Sequence, residues 1–276
     1  MGNMFKKTVI KYVMNRECKN GGFCFYRLEE PNGSDTYYAV SILHLLDVEY
    51  NDNNTIIFLK NIQKDDGSFD SIYSAYYSIK GLYIVGEKTR YNPEEYIKKN
   101  IEQYHPDNPF VDVVSIFRPI FYLVELCHIK KIEIEEKIRN TLIDFVLSFK
   151  NRDKGFGKTY STLIETFQAL SILNWLEYPI DTVDAENFIK ECESSVYGFS
   201  NIPRTAPSFI EHIYAGLTAS FLLDHKPRYP DQCIRFIEGC RNNNGGFSRS
   251  PLGNSTLENT YYAVHSLILL EILQSS

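Results

Sequence analysis

Residues 58 to 69 read FLKNIQKDDGSF, and the order of residue types in this stretch decides the fold. An aromatic and an aliphatic residue are followed by three residues, a long polar residue, three more residues, a glycine, any residue and a phenylalanine. The same order recurs as YVMNRECKNGGF at 12–23 and as FIEGCRNNNGGF at 236–247. Two further copies are altered near their ends. At 145–156 the glycine is shifted by one residue, and at 188–199 Tyr197 stands in its place.

The spacing of these copies indicates a repeat protein. The copies begin at residues 12, 58, 145, 188 and 236, at intervals of 46, 87, 43 and 48 residues. The long interval is about twice the others, and it contains a degenerate copy at Tyr96-Ile97 that has lost its glycine and phenylalanine to His105-Pro106. A fixed period of this length is the sequence signature of a repeat architecture, so we predict six units of about 45 residues.

Each unit contains two helical patterns. The first is amphipathic, as in residues 54–62, where polar and apolar residues alternate at helical spacing. The second is apolar nearly all round, as in residues 37–46 and 261–270, which is typical of a buried helix. Long β-branched runs with a period of two are absent. We therefore predict an all-α fold, in which six helical hairpins form an inner and an outer ring within a single domain over residues 1–276.

The composition limits the classes of function. The net charge of -6 argues against a nucleic-acid partner, because nucleic-acid-binding proteins are normally basic. The sequence has no apolar run long enough to span a membrane and no secretory signal pattern, so we predict a cytoplasmic protein without a transmembrane segment. The six cysteines form no CxxC pair and are predicted to be reduced and buried. Aromatic residues make up 14% of the chain, which calls for a structural or chemical reason.

The repeats resemble two related families. Residues 58–69 resemble the QW motif of squalene–hopene and oxidosqualene cyclases. Residues 245–263, which contain GGF and then STLENTYYA, resemble the repeat of protein prenyltransferase β-subunits, and residues 21–39, with GGF and DTYYA, are a second copy. The resemblance covers nearly the whole chain. It implies an (α/α)6 toroid, in which inner helices surround a cavity and outer helices surround the inner ones.

The resemblance also implies isoprenoid chemistry. The leading hypothesis is an isoprenoid-handling protein that binds a prenyl chain in an aromatic-lined central cavity, with prenyl transfer or acid-initiated cyclisation as the reactions. The alternative is a non-enzymatic lipid-binding or protein-interaction module on the same toroid, because one fold hosts many functions. Prenyltransferase β-subunits pair with an α-subunit, which leaves a protein partner open. The sequence does not name the ligand or the oligomeric state.

Alignment of the apolar helices places a column of polar side chains at their amino-terminal ends: Asp35, Ser74, Glu165, His212 and Asn259. The third repeat does not align cleanly, and it offers Asp112 or Arg118. Helix capping competes with function for this column, because Asp, Ser and Asn are good N-cap residues. Glu165 and His212 are poorer caps, although a histidine near an apolar helix is often a core residue. We predict these two, with Asp35, as catalytic acid/base candidates.

The metal ligands and acid motif of the two families are incomplete in this sequence. Protein prenyltransferases hold zinc with an Asp, a Cys two residues later and a His in the next repeat, and the similarity places these on Glu165, Phe167 and His212. A phenyl ring cannot bind zinc, so neither stoichiometric zinc nor cysteine prenylation is expected. The Asp-x-Asp-Asp motif of the cyclases is absent, and the nearest string, residues 63–66, is predicted to be a solvated turn.

Two groups of residues suggest ligand contacts. Four basic residues lie in the loops that lead into apolar helices: Arg27, Lys158, Arg204 and Arg249. Next to helix amino termini they would bind an anion such as a diphosphate, although ordinary surface charge also explains them. The aromatic rings of the apolar helices would pack a prenyl chain or face a carbocation, although core packing explains at least half of them. The remaining predicted ligand-binding residues are Tyr37, Tyr38, Tyr77, Tyr214, Asn259 and Tyr261.

Overall fold

The computed structural model of the protein describes residues 2–25, 30–103 and 115–275. Over these residues the chain forms twelve α-helices, a 3-10 helix at Ile180–Val183 and four two-residue strands. The α-helices are α1 (Asn3–Met14), α2 (Gly33–Leu45), α3 (Asn53–Asn61), α4 (Ile72–Ile84), α5 (Glu94–Glu102), α6 (Arg118–Lys130), α7 (Glu136–Ser148), α8 (Leu163–Trp175), α9 (Glu186–Cys192), α10 (Ile210–Leu222), α11 (Pro230–Gly239) and α12 (Leu257–Ser275). The strands are β1 (Glu193–Ser194), β2 (Gly198–Phe199), β3 (Phe247–Ser248) and β4 (Ser255–Thr256).

The chain divides into two compact units, which we describe separately. The first unit comprises the residues up to Tyr96 together with Ile237–Ile268. The second comprises Ile97–Phe236 and the residues from Leu269 onward. The single domain predicted for residues 1–276 stays a prediction.

Buried and half-exposed helices alternate along the chain. The even-numbered helices, which we call the apolar helices, are buried on most sides, and α8 buries every residue from Thr166 to Leu173. The odd-numbered helices bury one face, and α3 buries only Thr55 and Leu59. In the first unit α2 packs against α4, α1 and α3, and in the second α8 packs against α6, α7 and α10. The alternation predicted from the sequence is confirmed.

The phenylalanine that ends each motif copy is buried. The exposed fraction is 5% or less for Phe23, Phe69, Phe156, Phe199 and Phe247. In three copies the phenylalanine N–H donates to a threonine hydroxyl of the apolar helix that follows it. These hydrogen bonds are Phe23 to Thr36 at 2.9 Å, Phe156 to Thr166 at 2.9 Å and Phe247 to Thr260 at 3.0 Å. The bond fixes the motif turn to the apolar helix of the same repeat.

The motif turns also contain short β-pairings, for which the sequence holds no signal. The long polar residue of the motif pairs with the phenylalanine in an antiparallel bridge: Glu17 with Phe23, Lys150 with Phe156, Glu193 with Phe199 and Arg241 with Phe247. Around residues 193–199 the pairing extends to the antiparallel hairpin β1–β2, and Phe247 also belongs to the hairpin β3–β4. Strands of two residues are too short to leave an alternating pattern in the sequence, so the periodicity could not predict them.

The motif glycines lie where the turn meets another helix. Gly21 has a φ of 91°, and a Cβ there would lie 2.3 Å from the carbonyl carbon of Asn54 in α3. Gly245 has a φ of 92°, and a Cβ there would lie 2.3 Å from the carbonyl oxygen of Thr8 in α1. Only glycine combines this left-handed backbone with such a close approach. The last motif copy therefore packs on α1 as the first copy packs on α3, which joins the first and last repeats within the first unit.

All six cysteines are buried and outside any disulfide, as predicted. Burial raises the pKa of the Cys127 and Cys233 thiols to about 12, so these side chains are protonated at neutral pH. In the part of the chain that the structure describes, no helix is both long and apolar enough to cross a membrane.

Candidate functional site

The polar column lies one turn inside the apolar helices rather than at their N-caps. In four helices the N–H of the column residue donates to a polar side chain three residues earlier. These bonds run from Asp35 to Asn32 at 2.8 Å, Ser74 to Ser71 at 3.1 Å, Glu165 to Thr162 at 3.1 Å and Asn259 to Thr256 at 3.0 Å. The interpretation of Asp35, Ser74 and Asn259 as N-caps is therefore wrong, because each is the third residue of its helix.

Glu165 completes a capping arrangement at the start of α8. The Thr162 hydroxyl donates to Glu165 Oε2 at 3.0 Å and accepts the Glu165 N–H. A Thr followed by a Glu three residues later is a recognised helix-start pattern, so local structure alone gives this side chain a role. Burial nevertheless raises the pKa of the Glu165 carboxyl, while the Thr162 hydrogen bond partly opposes the shift. A raised pKa suits a proton donor and keeps Glu165 among the candidates.

His212 holds the same third position in α10 and is 5% exposed. Its Nδ1 accepts the N–H of Phe209 at 3.2 Å, and the two rings lie 5.3 Å apart. A neutral imidazole with an accepting Nδ1 carries its proton on Nε2, so this second nitrogen is the donor. The hydrogen bonds described here tie Glu165 and His212 each to the start of its own helix. Their action as an acid/base pair stays a proposal.

Asp35 is the third acid/base candidate. The Asn32 side-chain amide donates to Asp35 Oδ2 at 2.5 Å, so this carboxylate also belongs to the start of its helix. Burial raises the pKa of the Asp35 carboxyl, and the Asn32 hydrogen bond partly opposes the shift. Asn259, on α12, is buried, with an exposed fraction of 8%.

Three of the four predicted basic residues lie at the surface of the described part of the chain. Lys158, Arg204 and Arg249 are exposed and lie in the loops before α8, α10 and α12. Arg27 lies outside the described residues, as does Asp112 of the third repeat, whereas Arg118 is the first residue of α6. Exposed side chains are also typical of ordinary surface charge. The anion site at these loops therefore stays a prediction.

Every apolar helix carries an aromatic residue at its fourth or fifth position, and we call these residues the aromatic row: Tyr37, Tyr76, Phe121, Phe167, Tyr214 and Tyr261. In the first unit the Tyr37 ring lies 5.8 Å from Tyr76 and 6.1 Å from Tyr261. In the second unit the Phe167 ring lies 5.5 Å from Phe121 and 5.6 Å from Tyr214. Within each unit, neighbouring apolar helices are thus joined ring to ring, at separations typical of attractive aromatic pairs.

The first unit adds a second layer of tyrosines. Tyr38 lies 6.0 Å from Tyr77 and 5.5 Å from Tyr261. The structure therefore brings together the predicted ligand-binding residues Tyr37, Tyr38, Tyr77 and Tyr261, whereas Tyr214 belongs to the second unit. We call the group of six on α2, α4 and α12 the tyrosine cluster: Tyr37, Tyr38, Tyr76, Tyr77, Tyr261 and Tyr262.

Three ionisable residues that the sequence analysis missed contact this cluster. Lys80 Nζ donates to the Tyr76 hydroxyl at 3.1 Å. Glu258 Oε1 accepts the hydroxyls of Tyr38 and Tyr262, both at 3.0 Å. The His265 ring lies 5.6 Å from Tyr261. The sequence does contain a signal for two of them. Lys80 and His265 each follow a tyrosine of the aromatic row by four residues, which places each on the same helix face as that tyrosine.

The side chains at the positions of the prenyltransferase zinc ligands do not make up a set that could hold a zinc ion. Phe167 occupies the position where the prenyltransferase pattern needs sulfur, and its ring packs between Phe121 and Tyr214. Over the described ranges, no three side chains of His, Cys, Asp or Glu are grouped as a metal site would need. The expectation of no stoichiometric zinc stays a prediction.

A small cleft of about 260 Å³ lies in the first unit, at the carboxyl ends of α2 and α4. Its walls mix aliphatic side chains, such as Val40 and Ile84, with polar ones, such as His44 and Glu49. This volume is slightly below the usual range for small-molecule sites. The cleft contains none of the residues predicted from the sequence.

Comparison with known proteins agrees with this architecture. No curated protein matches the sequence significantly. A solved structure of Candida albicans protein geranylgeranyltransferase-I complexed with GGPP superposes with a TM-score of 0.71, at 15% identity, over 96% of this chain and 90% of that one. At this identity the likeness shows the fold, which confirms the predicted all-α toroid of helical hairpins. The sequence also matches the family model described as the Prenyltransferase alpha-alpha toroid domain over residues 2–86 and 70–276, so the chain belongs to that family.

Proposed function

We propose that the protein binds an isoprenoid chain against the aromatic faces of its apolar helices. The observation that carries this proposal is the aromatic row, which repeats at one position of every apolar helix. Flat, polarisable rings pack well against an unsaturated prenyl chain. Family membership supports the proposal, and so does the neighbour that was solved with GGPP, although that ligand belongs to the neighbour.

The charges in the first unit favour prenyl binding or transfer over cyclisation through a carbocation. Lys80 Nζ lies 5.3 Å from the centre of the Tyr37 ring and 5.0 Å from that of Tyr76. A carbocation about 6 Å from this ammonium would be repelled by about 3 kcal/mol at an effective dielectric constant of about 20. The ammonium of Lys80, rather than the tyrosine rings themselves, thus favours a neutral or anionic guest over a cationic intermediate beside these rings. The missing Asp-x-Asp-Asp motif agrees with this conclusion.

If the protein is an enzyme, Glu165, His212 and Asp35 are the groups available to move a proton. The two carboxyls have pKa values raised by burial, and the imidazole presents an Nε2 donor. The second candidate function is a binding module without chemistry. Phe167 favours it, because a ring contact has replaced the sulfur that the related transferases need. The cytoplasmic location and the protein partner expected from the sequence stay predictions.

Calorimetric titration with farnesol and farnesyl diphosphate tests the proposal. We expect both ligands to bind, and we expect Arg204→Ala with Arg249→Ala to weaken the diphosphate more than the alcohol, because a charge-assisted contact needs the phosphate. Lys11→Ala, an exposed lysine of α1, is the control. Equal losses for the two ligands would remove the anion site from the proposal. Absence of binding to the unmutated protein would leave the protein-interaction module as the better hypothesis.

A further inference from the structure

The first motif turn, between α1 and α2, brings two cysteines together. Glu17 pairs with Phe23 in an antiparallel bridge, and the Cys18 N–H donates to the Gly22 carbonyl at 2.9 Å. Cys18 follows one member of the bridge and Cys24 follows the other. Successive residues of paired strands point to opposite faces, so the two cysteines share the face that Phe23 does not occupy. The backbone of the turn thus places two thiols side by side.

The two side chains are in contact. The Cys18 thiol donates a hydrogen bond to the Cys24 sulfur. Burial, and next this hydrogen bond, raise the pKa of Cys18 to about 12, and the negative charges of Asp35 and Glu17 act in the same direction. Cys18 is therefore protonated at neutral pH, whereas the sulfur of Cys24 is the acceptor of the pair. The two thiols consequently differ in role, and Cys24 is the better nucleophile.

The pair lies closer to solvent than the other thiols. Cys18 is 6% exposed and Cys24 is 5% exposed, directly beneath the exposed turn residues Lys19 and Asn20. The other four cysteines are each 2% exposed or less: Cys127, Cys192, Cys233 and Cys240. Enclosed thiols are inert, so a small oxidant should reach the pair before it reaches these four.

We propose that Cys18 and Cys24 form a redox-sensitive pair, which a hydroperoxide oxidises to an intramolecular disulfide. With hydrogen peroxide as the oxidant, the Cys24 sulfur attacks one oxygen, an S–O bond forms and the O–O bond breaks. The leaving hydroxide takes the Cys24 proton and departs as water, which leaves a sulfenic acid. This inference does not depend on the proposed function.

Cys18 completes the reaction. Its sulfur attacks the Cys24 sulfur, the S–S bond forms, the S–O bond breaks, and hydroxide leaves with the Cys18 proton as a second water. The two thiols lose the two electrons that the peroxide gains. The new bond closes a ring of the seven residues 18–24, which lie between α1 and α2. Because cross-links stabilise mainly by restricting the unfolded chain, the oxidised protein should unfold about 2–5 °C above the reduced one.

Peptide mapping of the folded full chain tests the pair. The reduced protein is incubated with hydrogen peroxide, blocked with N-ethylmaleimide and digested with trypsin without reduction. Trypsin cuts after Arg16, Lys19 and Arg27, so the disulfide joins the fragments 17–19 and 20–27. We expect these fragments to be linked at least tenfold faster than any of the other four cysteines is lost, and dithiothreitol should separate them. Cys127→Ala is the control and should leave the linkage unchanged.

Dimedone, which labels sulfenic acids, tests the order of attack. Cys18→Ser should accumulate label on Cys24, whereas Cys24→Ser should carry at least tenfold less label on Cys18. Equal labelling of the two variants would overturn the roles of the two thiols.

The linkage itself is measured on the unmutated protein, so it does not depend on the folding of a variant. Linked fragments that appear only in urea, or no faster than the other cysteines react, would overturn the redox pair. A thermal midpoint that falls on oxidation would overturn the stabilising effect of the bond, and the midpoint of Cys24→Ser should not respond to peroxide.

Discussion

Gly216 is closely packed between a motif turn and an apolar helix. It lies in the middle of α10, and an added Cβ would meet Phe199 Cγ at 2.4 Å, Cδ1 at 2.5 Å and Cδ2 at 2.7 Å. Four other apolar helices carry Ala or Ser at the equivalent position: Ala39, Ser78, Ala169 and Ala263. Gly216→Ala therefore tests how rigidly the phenylalanine ring is held.

Two opposing contributions set the expected effect. Replacing a glycine inside a helix with alanine stabilises a protein by about 1 kcal/mol. Inserting a methyl group into a filled core costs about 1–3 kcal/mol, and here the clash is with the base of the ring rather than with a flexible tip. We expect Gly216→Ala to lower the free energy of unfolding by about 0–2 kcal/mol.

Gly81→Ala in α4 is the matched control. Its Cβ would meet only the methyl groups of Leu59, at 3.1 and 3.3 Å, so most of the helix-propensity gain should remain. Urea denaturation of both variants, alone and with Phe199→Leu, measures the coupling between the sites. With the ring removed, Gly216→Ala should become stabilising, which gives a coupling energy of about 1–3 kcal/mol. An equal effect of Gly216→Ala with and without Phe199→Leu would refute the close packing.

Two further predictions concern ionisable groups and metal. The purified protein should contain no stoichiometric zinc, because Phe167 replaces the sulfur ligand, and elemental analysis that finds one zinc per chain would contradict this. The pKa of His265 is about 4 in the folded protein and about 6.5 in the unfolded chain, so the unfolded state takes up the proton first as the pH falls. Stability should therefore drop between about pH 6.5 and pH 4 by up to about 3 kcal/mol, and the same pH dependence in His265→Gln would show that another group causes it.

The repeat order and the alternation of helices could be predicted because they depend on residue type and period alone. The motif phenylalanines are buried, as expected of repeat units that pack on their neighbours. The short β-pairings, such as Glu193 with Phe199, could not be predicted, because two residues carry no period. The column from Asp35 to Asn259 was found in the sequence at the correct ends of the helices, but its residues occupy the third helical position rather than the N-cap. The true N-caps, such as Asn32 and Thr162, lie in loops outside the apolar pattern.

The candidate site was only partly predictable. The tyrosines of the first unit were identified by type, and the structure shows which of them touch. Lys80 and His265 were missed because the importance of an ionisable residue on an apolar helix becomes clear only when its neighbours on other helices are known. The raised pKa values of the Glu165 and Asp35 carboxyls could not be predicted either, because they depend on burial in the folded chain, which residue spacing does not reveal.

The contact between the first and last repeats has a consequence for how the protein is made. Within the first unit, Tyr38 of α2 reaches Glu258 of α12, a separation of 220 residues along the chain. The three threonine bonds within single repeats span only 10 or 13 residues and can form early. During synthesis α2 therefore emerges long before the helix that completes its tyrosine surface. A nascent or carboxyl-terminally truncated chain that lacks α12 exposes the tyrosine faces of α2, and exposed apolar surface of this kind attracts chaperones.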